Sequence, residues 1–349
     1  MKIGYSFWGF LGSGITDTPD GGRSHRRPLI DALLARGHEV VFLQTDRDRT
    51  EAGDDLGGAY SFDAVGFPDI DVLFLEWRWP IKGRNATPCG TSDHTCDLHR
   101  QADLLQRYAR PGGAPTVIWD KDRQLGQDDP WRHAPGVQVC EAALAPSPGS
   151  RRLLFPVDDV LLDAADPVAL AACPRPISLG YVGNQYDRDA AFDTFFAPAA
   201  LHVPHQVAGK WPRTSAWPHV SFLGRVPFAE VDCLYGRSLA TLLLLPERYA
   251  AAGQMTQRIF EAVLAGCLPL APASIRGVET FVPPSLIVQD GDDVERRITE
   301  LRASTGSAAH VDLIAACLER LEIFRLSHQV QALEAVLAAA LDRAEGATR

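Results

Sequence analysis

Several apolar runs in this chain show no alternation. Val72–Glu76 reads VLFLE, residues 239–245 read LATLLLL and residues 268–271 read LPLA. A strand with one wet face alternates apolar and polar residues. A strand that is apolar at nearly every position is buried on both faces, which is the pattern of a parallel sheet covered by helices. The runs are separated by helix-like segments, so the fold class is α/β. In the first half, strands are expected at 2–7, 39–44, Val72–Glu76 and 115–119, with shorter candidates at 137–140 and 153–156. Helices are expected at 24–36 and 92–108. The first of these places Leu29, Ile30, Leu33 and Leu34 on one stripe, tolerates Pro28 near its start and stops at Gly37.

A Pro- and Ala-rich passage over 163–176 reads as a boundary. The alternation then restarts, with strands at Ile177–Val182, 202–208, 220–223, 239–245, 268–271 and 286–288. Helices are expected at 188–196, 228–236 and 256–265. From Asp292 onward the pattern is helical, with a break near 304–308. A chain of 349 residues can hold two cores. The expectation is two doubly wound domains, 1–170 and 171–325, with a terminal helical segment over 326–349. Ligands of such domains bind at strand ends, here in a cleft between the two.

Composition narrows the function. Hydrophobic content of 46% and charged content of 22% suit a soluble globular protein. A net charge of -10 argues against a surface that coats nucleic acid, though a local basic groove is compatible with it. No apolar run approaches the roughly 18 residues that span a bilayer. The start, MKIGYSFWGF, reads as a first strand and not as an export signal, and seven scattered cysteines point to a reduced cytoplasmic setting. Cys89, His94, Cys96 and His99 are acceptable zinc donors, but their spacing fits no common zinc motif, and a loop leading into a helix is the better account of them. No resident metal or cofactor is expected.

The stretch from Gln254 to Pro272, QMTQRIFEAVLAGCLPLAP, reads as loop, short helix, glycine stop and strand. It sets Gln254, Thr256, Arg258 and Glu261 on a polar face. A helix start with an arginine suits phosphate. The same coincidence occurs at Gly183 and Asn184 followed by Arg188. Lys210 and Arg225 follow two further strands, in turns that either hold phosphate or simply reverse the chain. The loop over 8–25 is glycine-rich, but Gly12 and Gly14 do not complete G-x-G-x-x-G, which weakens a nicotinamide reading. His25 opens the next helix, either as a neutral imidazole able to take a proton or as a capping or solvent-facing residue. Two strand ends, Glu76-Trp77-Arg78 and Trp119-Asp120-Lys121-Asp122, offer flat rings and hydroxyl acceptors, or are ordinary surface loops. HExxH, the P-loop and the G-x-S-x-G elbow are missing, which disfavours metalloprotease, P-loop NTPase and α/β-hydrolase.

GGRSHRRPLIDALLARGHEVVF near the start and TQRIFEAVLAGCLPLAP in the second half resemble segments of the GT-B-fold glycosyltransferases. The Thr and Arg ahead of FEA are similar to the spore-maturation type. The likeness runs over about residues 1–325. It implies two Rossmann-like domains facing a central cleft, with the C-terminal helices crossing back to the first. It implies transfer of a hexose or pentose from a nucleoside-diphosphate sugar to an acceptor hydroxyl, without a bound metal. By the same resemblance Glu261 would hold the donor ribose, and Thr256 and Arg258 the diphosphate. Gly183 and Arg188 would close the other side, with Gly14, Asn184, Lys210 and Arg225 in the donor loops. His25, Asp120 and Gln254 are the catalytic candidates. Glu76, Trp77, Arg78, Trp119 and Asp122 are the acceptor-side candidates. Retaining members often carry a glutamate where this chain has Gln254, so the stereochemical course stays open. A small molecule, a glycan, a protein or a hydroxylated base in DNA would suit as acceptor, and the protein as monomer or dimer. A nucleotide-sugar 2-epimerase is opposed by the missing charge at Gln254. A silent nucleotide-sugar binder is opposed by the presence of both Arg258 and Glu261.

Overall fold

The computed structural model describes residues 1–12, 23–81, 85, 96–110 and 112–347. The chain divides into two compact units. The first holds the described residues up to Leu154 together with those from Ser327 onward; the second is Phe155–Leu326.

The first unit is built on a seven-stranded sheet. Its strands are β1 (Lys2–Ser6), β2 (Glu39–Phe42), β3 (Ser61–Phe62), β4 (Val72–Glu76), β5 (Thr116–Asp120), β6 (Val137–Glu141) and β7 (Arg151–Arg152). They lie in the order β3-β2-β1-β4-β5-β6-β7, every pair parallel. The second unit holds β8 (Ile177–Val182), β9 (His205–Ala208), β10 (Phe222–Gly224), β11 (Ser238–Leu242), β12 (Leu268–Pro272) and β13 (Ile287–Val288). Their order is β10-β9-β8-β11-β12-β13, again parallel throughout. Every residue of β4, β5, β11 and β12 is buried, which is why those runs are apolar without alternation. In both sheets the strand order reverses once, between β1 and β4 and between β8 and β11.

Helix Asp97–Tyr108 covers the first sheet with Leu104, Leu105 and Tyr108, which pack with Leu73, Leu75 and Ile118. Helix Arg258–Leu264 ends at Gly266, whose φ of +73° is the left-handed conformation that stops helices. No helix among the described residues is long and apolar enough to cross a membrane.

Several elements depart from the expected ones. The strand expected at 153–156 is instead β7, two residues earlier. Residues 153–157 run on as buried chain. The two-residue β3 was not anticipated. The helix expected at 188–196 is broken into Asp189–Ala191, a wide turn over Phe192–Phe196 and Ala197–Ala199. The wider turn lets Phe192 and Phe196 stack at 4.8 Å, with both rings buried. The C-terminal pattern breaks near 304–308 as expected, and again at Arg325. There Val157 takes both backbone bonds, donating to the Phe324 carbonyl and accepting from Leu326 N–H, each 2.8 Å. Beyond it, helix Leu326–Ala347 is tied into the first unit. Gln329 accepts from Leu154 N–H at 2.9 Å, and Glu334 binds Arg36 at 2.5 Å and His38 at 3.0 Å.

One side chain staples the amino-terminal edge of the second sheet. Arg175 donates to the carbonyls of Leu170, Gly236 and Ala265 at 2.9, 2.7 and 2.8 Å. These carbonyls end helices Pro167–Ala172, Val231–Arg237 and Arg258–Leu264, where acceptors lack intrahelical partners. Arg175→Ala is expected to lower unfolding free energy by about 2–3 kcal/mol, measured by chemical denaturation, and Arg175→Lys to recover less than half of it.

Candidate functional site

Ligands of doubly wound sheets bind beyond the carboxyl ends of the strands where the order reverses. In the second unit that place is the exit from β8 beside β11. The chain leaves β8 through Gly183 and Asn184, and the turn after β9 clasps it. Gly183 N–H donates to Ala208 at 2.9 Å, Asn184 Oδ1 accepts from Lys210 N–H at 2.7 Å, and the Trp211 indole donates to the Gly183 carbonyl at 2.7 Å. Gly209, at φ +131°, has no alternative residue: a Cβ there would lie 2.1 Å from the Gly183 oxygen. Arg188 is buried and spends itself on carbonyls. Its Nε reaches Leu244 at 3.1 Å, and its Nη1 reaches Asn184 at 3.2 Å and Tyr186 at 2.7 Å. It thereby ties the exit of β8 to the chain leaving β11. Burial, then the neighbouring Arg258 charge, depresses its pKa.

Gly183 matters for how closely its backbone can be approached. A Cβ at that position would lie 2.8 Å from the Tyr181 hydroxyl and 2.9 Å from Arg258 Nη1. The backbone therefore passes close to a guanidinium with nothing between them. Arg258 Nη2, Tyr181 Oη and Thr256 Oγ1 are all buried, with no hydrogen-bond partner among the described residues. Buried polar atoms in folded proteins are nearly always paired. Three donors in this state, with the Tyr181 hydroxyl and the other Arg258 nitrogen, Nη1, beside Gly183, describe a place that suits an acceptor-rich group. Gln254 is fully buried on the chain leading into helix Arg258–Leu264. Glu261 stands one turn further along that helix. Burial first, and the Glu261 charge second, hold the buried Tyr235 phenol well above its usual range. Lys210 and Arg225 are exposed. Tyr181 was missed by the sequence reading, although the period of two along β8 puts residues 181 and 183 on one face.

The first unit's candidates gather at its own reversal point, and most are spent on structure. Glu76 is buried and accepts from Tyr5 at 2.6 Å and from both Arg26 Nε and Nη2 at 2.8 Å, with Lys121 at 2.7 Å. Burial would raise its pKa, but Arg26 and Lys121 outweigh that and hold the carboxyl well below the usual range. Glu76 is thus a hub of ion pairs and not an open hydroxyl acceptor. Arg26 and Tyr5 were not anticipated. The signal for Arg26 was present, since it falls on the stripe of Leu29, Ile30 and Leu33. Trp119 is fully buried and donates to the Leu153 carbonyl at 3.1 Å, so its ring is core and not a ligand-facing surface. His25 is buried edge-on against Trp119, with ring centroids 5.5 Å apart, which removes the solvent-facing alternative. Arg78 is buried, donates to Ser6 at 2.6 Å and to the Asp97 carbonyl at 3.2 Å, and burial lowers its pKa to about 10. Trp77 packs on the core beside helix Asp97–Tyr108. Asp122 is half-buried.

Asp120 is fully buried and caps the loop after β5. It accepts from Gln124 N–H at 2.9 Å and Leu125 N–H at 3.0 Å, with Arg132 at 3.3 Å. Burial outweighs these partners and raises its pKa to about 6. Gly14, and Cys89 and His94 of the zinc candidates, lie outside the described residues. Among the described residues no group of three His, Cys, Asp or Glu could hold a metal ion.

Comparison with known proteins agrees with this architecture. Residues 189–335 match the model of the glycosyl transferase-like family. No curated protein sequence matches the chain. Solved structures do. T4 phage β-glucosyltransferase in complex with UDP-glucose has a TM-score of 0.65 at 12% identity, over 98% of this chain and 100% of that one. That enzyme is also known with UDP and Mn2+. An α-glucosyltransferase in complex with UDP-glucose and DNA containing an abasic site has a TM-score of 0.63 at 13% identity, covering 97% and 98%. AviGT4, a glycosyltransferase of avilamycin A biosynthesis, has a TM-score of 0.61 at 13% identity, covering 98% of each. The chain therefore has the GT-B fold of the glycosyltransferases. Most of the segment that matches the glycosyl transferase-like family model lies in its second unit.

The raised Asp120 pKa has a pH signature. The folded state holds this proton more tightly than the unfolded chain, whose aspartates titrate near ~3.9. Its stabilising contribution is present below about pH 4 and is lost as pH rises through about 6. The stability of wild type minus that of Asp120→Asn should therefore fall by about 2–3 kcal/mol between those limits in denaturation series. A flat difference would contradict the buried carboxyl.

Proposed function

We propose that the protein transfers a sugar from a nucleoside-diphosphate sugar to an acceptor hydroxyl, and that the donor's diphosphate lies against the Gly183 backbone, beside Arg258. The observation that carries this reading is the Arg258 guanidinium, aimed at a backbone position that has no side chain, at the reversal point of the second sheet. In the reaction the C1–O bond of the sugar breaks and its electron pair goes to the diphosphate oxygen. The acceptor oxygen bonds to C1 and gives up its proton. Charge grows on the diphosphate, so a fixed cation beside it lowers the barrier. Thr256 adds a neutral donor, and Glu261 holds the ribose, as the family resemblance implies. Gln254 contributes an amide to the sugar. His25, which lies in the field of the Glu76 carboxylate, is the candidate for receiving the acceptor proton. Arg188 positions the Gly183 loop through its Nε and Nη1.

Arg258 supplies the countercharge in this reading, so transfer is metal-independent and should survive EDTA. The acceptor is a hydroxyl compound. DNA with a hydroxylated base is retained because one structural relative was solved with DNA. For that acceptor, turnover should fall steeply with salt.

The donor assignment is tested by thermal shift with UDP-, GDP-, ADP- and dTDP-sugars, followed by product analysis for free sugar. One nucleotide class should raise Tm by roughly 5 °C at a hundredfold excess over Kd. Arg258→Met should weaken that ligand roughly 10- to 100-fold with the fold intact. No response to any donor would refute the reading, and epimerised donor without transfer would move it to the epimerase class.

A further inference from the structure

We propose that the Tyr181 hydroxyl is a ligand of this anion site, donating a hydrogen bond to an oxygen of the donor's diphosphate. The inference rests on the donor reading and adds a residue that neither the motif nor the family match points to. Tyr181 lies on β8, two residues before Gly183, so both face the same side of the sheet. Its ring is held edge-on between Phe196 and Trp211, with centroids at 6.2 and 6.0 Å. Trp211 is the residue that clasps the Gly183 carbonyl, so one indole fixes both the phenol and the backbone beside it.

A phenylalanine would pack at this position as well as a tyrosine. The hydroxyl is 2.8 Å from where a Gly183 Cβ would be, is buried, and has no partner among the described residues. A buried hydroxyl left without a partner costs stability. The carbonyls nearby are engaged already: Gly183 by Trp211, Ala208 by Gly183 N–H, and Asn184 by Arg188. What lies beside Gly183 is a phenol O–H and guanidinium N–H groups. The group that complements two donors and no open acceptor is one with acceptor oxygens only and negative charge, as a phosphate has. The neighbouring Arg188 adds positive charge.

Tyr181→Phe separates a ligand role from a structural one, because the two move in opposite directions. In ligand-free protein the variant should have a Tm equal to or above that of wild type. By calorimetry the nucleoside diphosphate that binds wild type best, among UDP, GDP, ADP and dTDP, should bind it roughly 10- to 100-fold more weakly. Its parent nucleoside should bind both proteins alike. Unchanged nucleoside-diphosphate affinity would overturn the inference and leave the donor reading standing. A lowered Tm with equal losses for diphosphate and nucleoside would also overturn it, by making the hydroxyl a packing element. Failure of every nucleoside diphosphate to bind wild type would overturn the donor reading and this inference together.

Discussion

The arrangement at the carboxyl edge of the second sheet depends on the missing side chain at Gly183. Any Cβ there would press on the Tyr181 hydroxyl and on Arg258. The chain goes to some length to keep this backbone in place. Trp211 and Gly209 hold the Gly183 carbonyl from the β9 turn, and Asn184 is anchored to the backbone of Lys210. Arg188 ties the loop to the exit of β11. Arg258 is the group these contacts leave available. Two arginines lie close together here, and Arg188 gives its Nε and Nη1 to carbonyls of the surrounding loops. Electrostatic catalysis works through such preorganisation, where the dipoles and charges are fixed before the ligand arrives.

The first unit shows the opposite treatment of charge at the equivalent point of its sheet. Glu76 is saturated by Arg26, Lys121 and Tyr5, and Asp120 by two backbone N–H groups and Arg132. These buried networks satisfy every partner, which is the condition under which such groups are tolerated in a core. They shape the loops that leave β4 and β5. His25 lies edge-on against Trp119 at the same end of this sheet, and its charge is felt by the Glu76 carboxyl.

The fold was legible in the sequence because parallel strands buried on both faces leave a signal that does not depend on neighbours. Val72–Glu76 and Ile177–Val182 coincide with the observed strands, and the helix stop at Gly266 follows from its backbone geometry alone. The wide turn at Phe192–Phe196 was not legible, since it answers to ring packing among residues distant in sequence. Among the site candidates, residue type was informative but exposure was not. Trp119 and Glu76 sit at strand ends where a ligand could meet them, and what covers them is decided by helix Arg23–Ala35 and the chain at Leu153. Tyr181 was invisible for the converse reason: a tyrosine in an apolar strand reads as core until its hydroxyl is seen to lack a partner.

The donor site proposed for this protein stands or falls with a diphosphate bound against the Gly183 backbone. The most direct test is a crystal structure of the protein grown with its tightest nucleoside diphosphate. Diphosphate oxygens should lie about 3 Å from the Arg258 guanidinium, against the Gly183 backbone. A diphosphate bound elsewhere, with Arg258 turned away or ordered water against Gly183, would contradict that site.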